Sequence, residues 1–262
     1  TSKWNTNMLP TTNGMFHTAA VANPDTSNWN TENITDMSAM FYKAPAANPD
    51  TSKWNTSKVT NMAGMFGATE AANPDTSNWN TSKVTRMNGM FQGAKVANPD
   101  VSNWDTSQVT DMHGMFNGAI AASPNTSNWN TENVTNLSGM FQNAKAANPD
   151  VSAWKTNQVT DLSDMFNGAT VATPDVAKWD TSQVTNMEGV FTAASAAKPD
   201  VSNWKTNKVT NMHNMFAGAG SIENLDVSGW DIAQVEVETI ADVFATEGRT
   251  SVRIKGTTLK RN

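Results

Sequence analysis

Tryptophan recurs every 25 residues, at positions 4, 29, 54, 79, 104, 129, 154, 179 and 204, and once more at 230; no Trp lies outside that series. Phenylalanine follows twelve residues behind, from Phe16 to Phe216, and the tenth Phe is Phe244. Nine units thus hold one register without an insertion. A period this strict implies identical coils stacked on one another, because an extra residue would have to bulge from the stack.

The unit from Val96 reads VANPDVSNWDTSQVTDMHGMFNGA. Three residues before Trp stands Thr or Val, as in Thr76 and Val101; two after it stands Thr, replaced once by Ile232. Five after it stands Val or Ile from the second unit onward, for example Ile34, Val59 and Val184. Positions that accept Val and Ile face inward, so the inward pattern is V/T-x-x-W-x-T-x-x-V. That spacing resembles the L-x-x-L-x-L strand of a leucine-rich repeat, with Trp in the central place. Alternation then turns the residues on either side of Trp outward. A short strand is expected at about Ser102 to Ser107 in this unit, with parallel neighbours about 4.8 Å away.

A helical turn is expected next. Thr110 stands in the N-cap place, and Thr recurs there at 35, 60, 85, 135, 160, 185 and 210. Met112, Met115, Phe116 and Ala119 make an i, i+3, i+4, i+7 stripe. Gly93, Gly118, Gly168 and Gly218 are placed to stop the helix, and Gly114 weakens it. The Ala-Asn-Pro-Asp segment closes the coil, since proline suits a corner and excludes a central strand. The expected fold is therefore α/β: a right-handed leucine-rich-repeat solenoid of about ten 25-residue coils, each with a short parallel strand and a short helix. Residues 1–219 form nine regular repeats, the first truncated at its start. Residues 220–262 form a divergent tenth unit, with Ile232, Val235, Ile240 and Val243, and a polar cap. Ser251 to Lys255 alternates like a strand. The basic residues Arg249, Arg253, Lys255, Lys260 and Arg261 read as a solvated cap face or as a docking patch.

Composition narrows the function. Hydrophobic residues are only 38% and mean hydropathy is −0.50, while 15 Met and 10 Trp stand against one Tyr. The same few core residues are being used repeatedly. A net charge of −6 creates no field for a phosphate backbone, so nucleic acid is not an expected partner. The absence of Cys excludes disulfides and thiolate metal sites. No run of 18 apolar residues predicts insertion of this fragment in a membrane. The chain opens mid-pattern at Thr1-Ser2-Lys3-Trp4, which reads as a piece of a longer protein.

The repeated unit D-x-S-x-W-D-T-S-x-V-T-x-M-x-x-M-F-x-x-A resembles the BspA-like bacterial leucine-rich repeat surface proteins, including the lipoprotein repeats of mycoplasmas. The likeness runs from Thr1 to about Phe244. It implies an extracellular protein of the bacterial cell surface, often an adhesin, without enzymatic activity. The corner Ala147-Asn148-Pro149-Asp150 departs from the bulkier Phe-Asn-Gln-Asp common in the family, and no ligand is carried over.

The residues themselves point the same way. His17, His113 and His213 form no ligand-spaced cluster, and no Ser-His-Asp or paired-carboxylate arrangement stands outside the repeat. No catalytic residue, metal site or cofactor is expected. The Trp, Met and Phe columns read as core rather than as stacking platforms. The Thr columns invite comparison with ice-binding faces, but Val and Ile replace Thr in them and a Trp column lies between. The column Asp25, Asp50, Asp75, Asp100, Asn125, Asp150, Asp175, Asp200 and Asp226 has two readings: Asx-turns that accept the N–H two residues on, or calcium bridging neighbouring carboxylates. The expected ligand-binding site is the outward ladder around Trp: Asn78, Asn80, Asn103, Asp105, Asn128, Asn130, Lys155, Lys178, Asp180, Asn203 and Lys205. Lys155 and Lys205 flank Asp180, which suggests cross-strand ion pairs. The expected partner is a protein or glycan on another cell or host surface, or a second copy of the chain. The alternative is a passive spacer.

Overall fold

The computed structural model describes residues 3–220, 225–235 and 243, together with two terminal strands. The coils do stack. Parallel bridges join Thr11, Asp36, Asn61, Arg86, Asp111, Asn136, Asp161, Asn186 and Asn211 in one row, each to the next unit.

The expected strand and helix within each coil are both absent from the described residues, so the fold is not an α/β leucine-rich-repeat solenoid. Among the described residues the only strands are β1 (Ser251–Ile254) and β2 (Thr257–Lys260), paired antiparallel. The bridge row passes through Asp111, not through the expected strand at 102–107. The Trp104 N–H turns back to Val101 O at 3.2 Å, within its own coil.

Where a helix is expected, amide groups alternate between two uses. Met115, Asn117 and Ala119 donate to the carbonyl three residues back, at Met112, Gly114 and Phe116. Met112, Gly114, Phe116 and Gly118 donate instead to Asn136, Ser138, Met140 and Gln142 of the next coil. An α-helix would send every one of these amides four residues back along its own chain. Here each peptide is satisfied either by a local turn or along the stack, which is the accounting a buried backbone requires. Two left-handed residues per coil make the alternation possible: Gly114 at φ 58° and Gly118 at φ 68°. Neither is a stop signal. The place of Gly114 is held elsewhere by Ala39, Asp164 and Asn214, also at positive φ. The Thr110 column caps no helix; Thr110 N–H reaches Thr85 O at 3.0 Å, and Thr135 N–H reaches Thr110 O at 2.9 Å.

The core consists of columns running along the stack. Phe116 and Phe141 are fully buried and stack at 5.7 Å with an interplanar angle of 2°. Trp104, Trp129 and Trp154 stack at 6.4 and 6.2 Å. Such pairs add about 0.5–1.5 kcal/mol each beyond the area they bury. Trp4 stacks on Phe16 and Trp29 and is 50% exposed. Of the tenth unit, Trp230, Val235 and Val243 are buried and Ile232 is partly buried, whereas Ile240 and Phe244 lie outside the described residues. Arg249, Lys255 and Arg261 of the basic cap also lie outside them, as do the side chains of Arg253 and Lys260.

Side chains supply the bonds between coils where strands are missing. The Thr two residues after Trp is buried throughout, from Thr6 to Thr206. Thr131 Oγ1 donates to Lys155 O at 2.9 Å and accepts from Lys155 N–H at 2.9 Å. One hydroxyl thus replaces both halves of a backbone rung. In the opposite direction Trp129 Nε1–H donates to Val101 O at 3.1 Å, and Trp179 Nε1–H to Val151 O at 3.1 Å. The Asn before proline forms a third ladder: Asn48 N–H reaches Asn23 Oδ1 at 2.9 Å and Ser123 N–H reaches Asn98 Oδ1 at 2.9 Å.

Candidate functional site

The Asp column builds the first corner of each coil. Asp100 Oδ1 accepts Ser102 N–H at 3.0 Å and Ser102 Oγ–H at 2.6 Å. The same pair of bonds recurs at Asp50, Asp150 and Asp200, and at Asn125 with Ser127. Asp175, followed by Ala177, keeps only the backbone bond. This is Asx-turn geometry. Among the described residues no three His, Asp or Glu side chains converge as a metal ion would require.

The Ser hydroxyl first, and the Ser N–H second, hold the carboxyls of Asp50, Asp100, Asp150 and Asp200 below the ordinary carboxylate value. Hydrogen bonds to the charged form favour it. A lowered folded value contributes stability above the unfolded pKa of about 3.9, and that contribution is lost as pH falls through the folded values. The melting temperature should therefore hold steady above about pH 5 and decline below about pH 4. Changing these four Asp to Asn keeps the N–H acceptor, as Asn125 does, and should flatten that acid limb in a thermal melt series. An unchanged limb would remove the corner carboxyls as its cause.

The residue directly after Trp, on the expected outward ladder, builds the second corner. Ser82 N–H bonds to Asn80 Oδ1 at 3.0 Å, Ser107 N–H to Asp105 Oδ1 at 2.9 Å, Glu132 N–H to Asn130 Oδ1 at 3.0 Å, and Ser182 N–H to Asp180 Oδ1 at 3.0 Å. These four stand on the expected binding ladder, and each also turns the chain. The signal was present: the D-x-S pattern of the first corner repeats five residues later as Asp105-Thr106-Ser107 and Asp180-Thr181-Ser182. Where Lys takes this place it pairs sideways. Lys205 Nζ lies 3.8 Å from Asp180, as the column order suggests, but Lys155 Nζ reaches Glu132 at 3.0 Å rather than Asp180. Both pairs are exposed and contribute little to stability.

A third corner lies in the bridge row, where Ser138 N–H bonds to Asn136 Oδ1 at 2.9 Å and Ser163 N–H to Asp161 Oδ1 at 2.8 Å. Each regular coil is thus turned by Asx caps at up to three places, none separately visible as a site. The histidines stand apart: His17 stacks on Tyr42, His113 Nδ1 lies 2.8 Å from Asp111, and His213 N–H bonds to Asn211.

The column directly before Trp behaves differently. Asn78, Asn103, Asn128, Lys178 and Asn203 are all exposed, and none of their side chains enters a hydrogen bond or ion pair within the described part of the chain. Asn28 and Lys53 continue the column. Ala153 interrupts it, and there a shallow depression of about 260 Å³ opens between Asn128, Asn130 and Lys155. Of the eleven ladder residues, then, six are occupied by caps or ion pairs and five project from the coil without such a duty.

No curated protein and no solved structure matches this chain. One family model matches residues 1–79, 68–175 and 170–253, nearly the whole length. The chain therefore belongs to the family described as Mycoplasma protein of unknown function, DUF285.

Proposed function

We propose that this chain is a non-catalytic ligand-binding module of a bacterial cell-surface protein, with the column before Trp as its contact face. The observation that carries the reading is the division of labour around Trp. Polar side chains on the neighbouring columns are consumed by turns and inter-coil bonds, while Asn78, Asn103, Asn128, Lys178 and Asn203 project outward without such duties. A periodic polar row on a rigid stack is a common way for repeat proteins to bind. The likeness of the unit to BspA-like surface proteins supports an extracellular setting and an adhesive role, with a protein or glycan as partner. The test is binding of the isolated chain to arrays of glycans and host-surface proteins. Saturable binding lost when Asn78, Asn103, Asn128 and Asn203 are changed to Ala together is the expected result.

A second reading is a passive spacer. It is favoured by the continuity of the stack, in which a hydroxyl ladder joins successive coils and indole and carboxamide bonds add to it along parts of its length. Absence of any saturable ligand on those arrays would support it and overturn the first.

A further inference from the structure

We infer that the break in the outward column at Ala153 forms a subsite for one neutral hexose unit of a glycan, an inference that rests on the binding reading above. In the regular coils described, Ala153 is the one position of this column without a long or polar side chain; the others carry Asn or Lys. Its short side chain leaves the depression of about 260 Å³, bounded by Asn128 and Asn130 of one coil and Lys155 of the next, with Trp129 and Thr131 beneath. That volume suits a single sugar ring and is below the roughly 300–1,000 Å³ of pockets that enclose drug-sized ligands.

The chemistry of the rim selects the class. Asn128 presents a carboxamide, which both donates and accepts. Asn130 has its Oδ1 engaged by Glu132 N–H at 3.0 Å, which leaves its amide group to donate. The Lys155 ammonium is offset by Glu132 at 3.0 Å, so the rim carries no uncompensated positive charge for an acidic sugar. Trp129 and Thr131 are buried and supply a rigid floor rather than a stacking face. Paired donors and acceptors around a shallow, charge-balanced hollow match vicinal hydroxyls of a neutral hexose. They offer neither the extended backbone edge nor the deep apolar pocket that an extended or helical peptide would use.

The decisive variant is Ala153→Asn, which restores the residue found at Asn78, Asn103 and Asn128 and should fold with an unchanged urea midpoint. On an array of neutral, acidic and amino-sugar glycans, the native chain should retain neutral hexose glycans. The variant should bind them at least about tenfold more weakly, a loss of about 1.4 kcal/mol. Binding that persists in the variant but disappears when Asn78 and Asn103 are changed would overturn the subsite and leave the ladder reading intact. Retention of acidic glycans or peptides alone would also overturn it. No saturable binding at all would overturn both.

Discussion

Trp129→Ala should lower the stability of the stack by about 3–5 kcal/mol, the usual result of deleting a large buried aromatic side chain. Trp129 is 3% exposed and stacks on Trp104 and Trp154 on its two sides. Its indole N–H also holds Val101 O of the preceding coil at 3.1 Å, so truncation leaves a cavity and removes one of the two donors on that carbonyl, the Trp104 N–H remaining. Asn128→Ala, one residue away and pointing outward, should change stability by less than about 0.5 kcal/mol. Urea midpoints of the two variants check the contrast. Equal midpoints would mean that the inside and outside of this segment are wrongly assigned.

The second large effect is expected from a change that removes hardly any volume. Thr131→Val keeps the shape of a buried side chain but deletes the hydroxyl that serves both Lys155 N–H and Lys155 O. A part-buried donor and acceptor lose their partner together, each at the lower part of the about 1–3 kcal/mol range for an unsatisfied buried group. We expect a total of about 2–4 kcal/mol, read from chemical denaturation. Thr126→Val, five residues earlier, is the internal control. Thr126 Oγ1 only donates to Asp150 O at 2.8 Å, and Val occupies that column natively at Val101, Val151, Val176 and Val201. Its effect should stay below about 1 kcal/mol. Equal losses in the two variants would show that the hydroxyl after Trp does not bridge coils.

The two Thr columns illustrate how much was legible beforehand. Periodicity alone sorted Trp, Met, Phe and Val into the interior, because burial requires apolar groups in fixed register whatever the backbone does. It could not specify the backbone. The stripe Met112, Met115, Phe116 has helical spacing, yet a chain that turns back every three residues places the same side chains on one side. The distinguishing sign was the pair of glycines at 114 and 118. A helix tolerates one such residue at its end, whereas two, four residues apart, as at Gly89 and Gly93 and at Gly114 and Gly118, point to left-handed backbone inside the segment. Ala39, Lys43 and Asn143 in the same places diluted that sign. The candidate site was legible to a similar depth. Alternation about Trp turned the right columns outward, but Asn and Asp read as available groups on both sides. Only the bonds from Ser107 and Glu132 separate residues that turn the chain from residues that face a partner.

The central claim is that each coil alternates local turns with bonds to its neighbour, around left-handed residues, in place of a helix. Gly114→Ala tests it most directly because the two backbones predict opposite signs. Gly114 has φ 58°, and an added Cβ would meet nothing closer than Asn117 Cβ at 3.9 Å, so the substitution probes conformation and not crowding. In a helix, Ala for Gly stabilises by about 0.8–1 kcal/mol. In the left-handed place it destabilises by about 1–2 kcal/mol. A urea midpoint for Gly114→Ala below that of the native chain is the predicted result; a midpoint above it would contradict the fold described.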